Sequence, residues 1–469
     1  MSFNVAFFGY SWTADLRPDA YQKALIDAFR EKGANVCFFY SNYMAGSDVL
    51  RGLDYRLNRT KLLNDLKSFN PTFVLSMNRG GLDAEMKAAI SAPVITWCVD
   101  DFSHFFDPDG NGKLDGIVTE KDPVVVSSLE LHRILVKAFP NLEKQIYFIP
   151  SATDYKKFRS VPATAAQNIC FVGSYLQLKL ATEFMSRVIK NPELLRGFFR
   201  AVDELKRDYR HDFATTLKAT GLAQIVEDLG WTPMAAKMEI SNILSSRDRF
   251  EAVMKTHDLG LHLYGGAGWL TPLMTYDVNS LKAFQGNKSV KTHDDLVRVY
   301  QSSKICFNVS QIQTGPALSY RVFDIMASNA LLIQPYHPES DAFAIFGKEC
   351  PIPMYKTFDE LRSLCQHYLS HENERSELVN YCNSKMESGF SFLDRVDDLI
   401  RISGAKIDLS GSRSKYHVHS TMAHICVEMA PYKSIKKQLH ELVMRIVEKL
   451  LSPRNRLRMA RIFVPNLKL

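Results

Sequence analysis

Several chemical signatures are missing from this sequence, and each omission removes a class of function. There is no C-x-x-C pair and no histidine cluster at metal spacing, although the chain holds eight cysteines and 13 histidines, so structural zinc is not expected. The cysteines, at 37, 98, 170, 306, 350, 365, 382 and 426, sit mostly in apolar, strand-like surroundings. That setting predicts buried thiols in a reducing compartment and no disulfides. No G-x-G-x-x-G opens a helix in a βαβ unit and no G-x-x-x-x-G-K-[ST] occurs, which counts against NAD-dependent and P-loop chemistry. No D-x-D is placed to hold a divalent ion, so no metal site is predicted. No apolar run reaches the roughly 18 residues a bilayer span needs. The opening MSFNVAFFGY lacks the basic start and small-residue cleavage site of a signal peptide, and a cytoplasmic protein is expected.

What is present is ordinary globular material, 46% hydrophobic and 23% charged, in 469 residues. Single cores usually stop growing at roughly 250 to 300 residues, so two domains are expected. The net charge of +7 is unevenly placed: residues 411–469 carry twelve Lys/Arg against three Asp/Glu, leaving 46 basic and 48 acidic residues before them.

In the first third, short apolar runs alternate with helical patterns: FNVAFF, then a helix opened near Pro18 and closed by Gly33, then NVCFFY, TFVLS, PVITWCV, GIVT, VVVSS and IYFIP. Strands separated by helices predict βαβ units and a parallel sheet covered on both faces. SVPATAAQ, residues 160–167, reads as a linker. The periodicity from about 176 to 253 is helical, broken most clearly at GWTP, and alternation then resumes with HDLGLHLYGG, KICFNVS, NALLIQPY and ECPIPMY. The expected class is α/β, with a first domain over 1–165 and a second over 166–410 that carries the helical insertion. Residues 411–469 form a basic helical tail in this reading. Ligands of such sheets sit at the carboxyl ends of the strands, in the cleft between domains.

Three groups of residues carry chemistry. In RVFDIMASNALLIQPY, Arg321 and Asp324 stand three apart where a helix meets a sheet, which fits either a surface ion pair or a ligand site. An arginine near a helix N-terminus suits a diphosphate. YGGAGW follows a strand, so Gly265, Gly266 and Gly268 either let backbone approach a ligand closely or form an ordinary loop. WCVDDFSHFF places Asp100, Asp101 and His104 just past a strand, either as proton acceptors for an incoming hydroxyl or as turn caps and packing.

HLYGGAGW, LVRVYQSSKICFNVS, RVFDIMASNALLIQPY and FGKECPIPMYKTFDELRSLCQHYL, with PVITWCVDDF, IYFIPSATDYKKF and ICFVGSY upstream, occur in the order seen in CgeB-like glycosyltransferases. The chain resembles that family over about residues 70–400. The resemblance implies a GT-B fold of two Rossmann-like domains facing a cleft. It also implies a nucleoside diphosphate sugar donor, with UDP-sugar favoured, bound by Gly265, Gly266, Gly268, Tyr320, Arg321 and Asp324. The acceptor, a surface polysaccharide, lipid-linked or protein substrate, would lie on the first domain beside Asp100, Asp101 and His104. The mechanism it implies needs no metal or cofactor. Where the family usually has Glu and Gly, this chain has Asp324 and Asn329; Asn tolerates the left-handed conformation that ends a helix. A nucleotide-sugar epimerase and a non-catalytic envelope-assembly or scaffold protein remain alternative readings.

In the tail, KSIKKQLHELVMRIVEKLL and PRNRLRMARIFVP form basic amphipathic patterns. Over 433–463 they suit either an anionic membrane surface, with the protein peripheral on the inner face of the plasma membrane, or docking on the protein's own body. No nucleic-acid-binding motif accompanies the charge.

Overall fold

The computed structural model describes residues 3–9, 18–40, 63–78, 87–99, 118–119, 121–162, 164–176, 179–210, 212–286, 290, 292–405 and 416–418. The apolar runs become parallel strands: β1 (Asn4–Gly9), β2 (Asn35–Tyr40), β3 (Phe73–Met77), β4 (Val94–Cys98), β5 (Val124–Val126) and β6 (Ile146–Phe148). Between β1 and β2 runs helix α1 (Ala20–Glu31), started by Asp19, whose side chain accepts from the Gln22 amide. Helix α2 (Leu129–Ala138) follows β5 and is capped by Ser128; α3 (Tyr155–Ser160) leads into the linker. Val118 and Thr119, from the expected strand GIVT, are not in a strand.

The second domain opens on β7 (Gln167–Val172). Five helices follow: α4 (Lys179–Val188), α5 (Pro192–Arg207), α6 (Phe213–Ala219), α7 (Ala223–Asp228) and α8 (Pro233–Thr256). They bury a core of their own around Phe184, Phe198, Leu217 and Ile240. The GWTP break is the start of α8, with Thr232 as cap and Pro233 in the first turn, where a missing N–H costs nothing. The far end of α8 leaves that core, and its Ala252 and Val253 pack on the sheet.

Next come β8 (Leu261–Tyr264), α9 (Leu270–Tyr276), α10 (His293–Gln301), β9 (Ser303–Phe307), α11 (Tyr320–Ala327), β10 (Leu331–Pro335), α12 (Asp341–Phe346) and β11 (Met354–Tyr355). Helices α13 (Phe358–Ser370), α14 (Glu372–Glu387) and α15 (Phe392–Ser403) follow, and β12 (Tyr416–Val418) is the last described element.

The strand orders are β12-β2-β1-β3-β4-β5-β6 and β11-β10-β9-β7-β8. Both sheets are parallel and Rossmann-like. The chain also returns: Phe392, Val396 and Leu399 of α15 join the core of the first domain beside α1, and β12 pairs with β2. Residues 416–418, expected in a helical tail, are thus a strand, because the open edge of β2 offers a full row of backbone partners. The tail stretch 433–463 lies outside the described residues.

Two buried carboxylates join the domains. Asp324 of α11 is fully buried and accepts from the Tyr21 hydroxyl of α1 (2.9 Å) and the Thr153 hydroxyl (2.7 Å). Asp341 of α12, also buried, accepts from the Leu129 amide at the start of α2 (3.2 Å). Burial raises both, Asp324 to about 7 against the opposing pull of its two hydroxyl donors, and Asp341 to about 6.

A solvated Asp titrates near ~4, so between that value and the raised ones the joined state holds protons that the unfolded chain has lost. This contribution is complete below the ordinary carboxylate range and declines as pH rises through about 6 to 7. Thermal midpoints should therefore fall across that window, and Asp324→Asn should flatten the slope; an identical slope in the variant would remove Asp324 as its source. Tyr21→Phe, which takes one hydrogen bond from a buried carboxyl, should cost roughly 1 to 3 kcal/mol in denaturant titration.

Candidate functional site

In the first sheet the connections leave β1 and β3 in opposite directions, and in the second they leave β7 and β9 in opposite directions. Each divergence opens a crevice at the carboxyl ends of the strands, the usual ligand position of open α/β sheets. Past β7 the chain runs Gly173, Ser174, Tyr175; past β9 it runs Asn308, Val309, Ser310. Two arginines meet those two exits. Arg321, in the first turn of α11, donates from Nη1 to Asn308 Oδ1 (3.0 Å) and lies over the Phe171 ring at 6.0 Å. Asn308 is itself buried, and its carbonyl accepts from the Tyr355 hydroxyl (2.8 Å). Arg249 of α8, only 5% exposed, donates from Nη1 to the Ser174 carbonyl (2.7 Å).

Arg321 and Asp324 are thus not an ion pair. They leave the helix in different directions, Arg321 toward its own sheet and Asp324 toward the other domain. Tyr320 also faces the first domain, stacked on Tyr21 (ring centroids 4.5 Å apart) and alongside Phe392 (6.3 Å). Of the expected donor residues on this helix, Arg321 meets the exit of β9, and Tyr320 lines the cavity between the domains.

The glycines after β8 divide by role. A Cβ on Gly265 would stand 2.4 Å from the Gly173 carbonyl oxygen, and one on Gly268 would stand 2.8 Å from that of Tyr175. Both glycines therefore exist to let this turn press against the turn that follows β7, where Trp269 Nε1 donates to the Gly173 carbonyl (2.7 Å). Gly266 meets nothing within 4 Å. The close approach found here is of backbone to backbone, where approach to a ligand was expected, and it holds in place the turn whose Ser174 carbonyl anchors Arg249. Asn329 does not take the left-handed conformation either. Its amide and side-chain NH2 both donate to Gln301 Oε1 (2.8 and 2.7 Å), so a side-chain bridge to α10 ends the helix region instead.

Between the domains lies a cavity of about 220 Å³ whose polar wall includes Ser127, Ser151, Arg210, Gln311, Gln313 and Thr314. Arg210 comes from the insertion and bonds Glu130 of α2 (2.7 Å), so the insertion touches both domains. Cys98 and Val99 line the same cavity and directly precede Asp100. Asp100, Asp101 and His104 lie outside the described residues. So does 107–109, Asp-Pro-Asp, which has D-x-D spacing. Among the described residues no three His, Cys, Asp or Glu gather as a metal site, and no helix is long and apolar enough to cross a membrane.

Arg249 was not foreseen. It is one charge on a 24-residue helix of an insertion, with no local pattern to mark it, and only the fold brings it beside β7.

Residues 247–401 match the family described as "Glycosyl transferase-like", a span that takes in Arg249, the glycine turn and Arg321. That segment, about a third of the chain, is similar to this family, and two Rossmann-like parallel sheets with a chain that returns to the first give a GT-B architecture. No curated protein matches the sequence. Among solved structures, a glycosyltransferase from Rickettsia africae aligns over 86% of this chain and 100% of its own, at 10% identity and a TM-score of 0.46. A sucrose-phosphate synthase from Thermosynechococcus elongatus covers 85% and 98% at 12% identity and 0.48. HepE of Anabaena, in complex with UDP and glucose, covers 85% and 99% at 8% identity and 0.49.

The glycine roles lead to a paired outcome. Gly265→Ala should lower stability by roughly 1 to 3 kcal/mol through overpacking, while Gly266→Ala should stay within about 0.5 kcal/mol of the parent. Chemical denaturation of the two variants side by side checks this, and equal losses would contradict the packing assignment.

Proposed function

We propose that this protein is a glycosyltransferase that moves a sugar from a nucleoside diphosphate donor to a surface polysaccharide, lipid-linked or protein acceptor, as the CgeB-like resemblance implies. The observation that carries the reading is Arg321. It is a cation fixed by Asn308 at the crevice between β7 and β9, inside the glycosyl transferase-like segment, and among the described residues no carboxylate forms an ion pair with it.

In glycosyl transfer the leaving diphosphate gains negative charge as the bond to the anomeric carbon breaks. A preorganised guanidinium in a partly dry cleft stabilises that charge without reorganising at the moment of reaction. Arg321 supplies this without a metal ion in our reading. UDP-sugar is the donor we favour. The acceptor hydroxyl enters from the first domain through the polar cavity, with Asp100, Asp101 or His104 to receive its proton. Asp324 takes part through the domain interface: its carboxyl is fully buried between Tyr21 and Thr153, so the contact must open for it to accept a ribose hydroxyl, which couples donor binding to separation of the domains. The tail over 433–463 is the membrane-facing part of this proposal.

Thermal denaturation of the full chain against UDP, GDP, dTDP and CMP sugars tests the donor site, since ligand at a hundredfold over its Kd adds about 2.7 kcal/mol. One nucleotide should raise the midpoint, and Arg321→Gln should reduce that rise sharply while the ligand-free midpoint stays near the parent's; no rise with any nucleotide would remove the donor assignment. Nucleotide release that requires an added acceptor distinguishes transfer from epimerisation, which converts donor alone.

A further inference from the structure

We propose that Arg249, delivered by the last helix of the insertion, is a second cation of the diphosphate site, so that the insertion forms part of donor recognition. This rests on the donor reading above.

Three observations converge on it. First, Arg249 and Arg321 are tied to the two chain exits, Ser174 and Asn308, that flank one crevice, because β7 and β9 are neighbours in the sheet. Second, Arg249 is nineteen-twentieths buried, yet its Nε has no hydrogen-bond partner, and among the described residues no carboxylate pairs with it. A desolvated guanidinium without an anion is costly, and proteins rarely leave one so. Third, the two cations act on each other: burial first, and then the field of Arg321, bring Arg249 down to about 10, which still leaves it charged at neutral pH.

Two positive charges facing one crevice repel unless an anion stands between them. Among the described residues no carboxylate forms an ion pair with either arginine, and Asp324, whose charge acts on Arg321, is bonded toward the other domain. A diphosphate carries a negative phosphoryl group for each guanidinium, and the planar forks suit its oxygens. A neutral sugar or a nucleoside would leave the repulsion in place. The competing explanation is that Arg249 only ties α8 to the turn after β7. That role predicts a loss of stability on neutral substitution and no particular effect on anions.

The test is calorimetric titration of the full chain at low salt with inorganic pyrophosphate, inorganic phosphate, uridine and UDP. The variants are Arg249→Gln, Arg249→Lys and Arg321→Gln. We expect pyrophosphate and UDP to bind the parent far better than phosphate, uridine to bind weakly or not at all, and Arg249→Gln to lose roughly ten- to a hundredfold in affinity for both diphosphates. Arg249→Lys, which keeps the charge and a donor for Ser174, should recover part of that loss; it is also the decisive variant if Arg249→Gln fails to fold. Parent-like diphosphate binding by Arg249→Gln, alongside a loss in Arg321→Gln, would overturn the assignment of Arg249 and leave the donor reading standing. Pyrophosphate binding that depends on Arg249, without binding of UDP and without a midpoint rise for any of the nucleotide sugars named above, would keep the anion site and overturn the donor reading. A parent that binds no diphosphate would overturn both.

Discussion

The interaction on which the rest of the structure depends is a carboxyl group buried between the two domains. Asp324 lies at the centre of the contact between domains, with one oxygen bonded to a helix of the first and the other to the segment leading into the linker. A buried carboxyl needs such donors, and losing either would leave an unsatisfied group in a dry interface. The requirement fixes how α11 meets α1, and α11 carries Arg321 at its other side. Tyr320, stacked on Tyr21, adds an aromatic contact along the same line. The geometry of the interface and the position of a charged residue of the crevice are therefore set by one short helix.

The crevice is organised by a different constraint, the close packing of two turns. Gly265 and Gly268 remove the side chains that would hold the turn after β8 away from the turn after β7. The carbonyls of Gly173 and Ser174 are then held at fixed positions, the first by Trp269 and the second by Arg249. With Asn308 fixed by its place at the end of β9 and by Tyr355, both arginines have a rigid backing. Preorganisation of this kind is what allows a cation to act on developing charge without first moving.

Much of this was legible beforehand. The apolar runs are buried parallel strands, since residues covered on both faces read as continuous hydrophobics. Thr232 and Pro233 mark a helix start as local chemistry requires. The linker lies between α3 and β7 as its composition suggested. Other signals were ambiguous by nature. A spacing of three puts Arg321 and Asp324 on adjacent parts of a helix, but whether they bond each other or separate partners depends on what packs on each side. The glycines were read as letting backbone approach a ligand; Gly265 and Gly268 instead face protein backbone and Gly266 faces open space, a difference set by which turn packs beside them. Asn329 tolerates a left-handed turn, and a neighbouring glutamine gave it a better option.

The sequence by itself determined most of the local layers: most of the strands, where helices such as α8 begin, that two parallel sheets form, and that residues 411–469 are basic. These follow from hydrophobic period, capping residues and charge, all of which act over a few residues. Only the tertiary structure decided that α15 and β12 belong to the first domain, that Asp324 is an interface group, and that Arg249 stands by the crevice. Those facts depend on contacts between residues tens to hundreds of positions apart. Such contacts are chosen by the packing of whole faces and the pairing of free strand edges, and no short stretch of sequence records them.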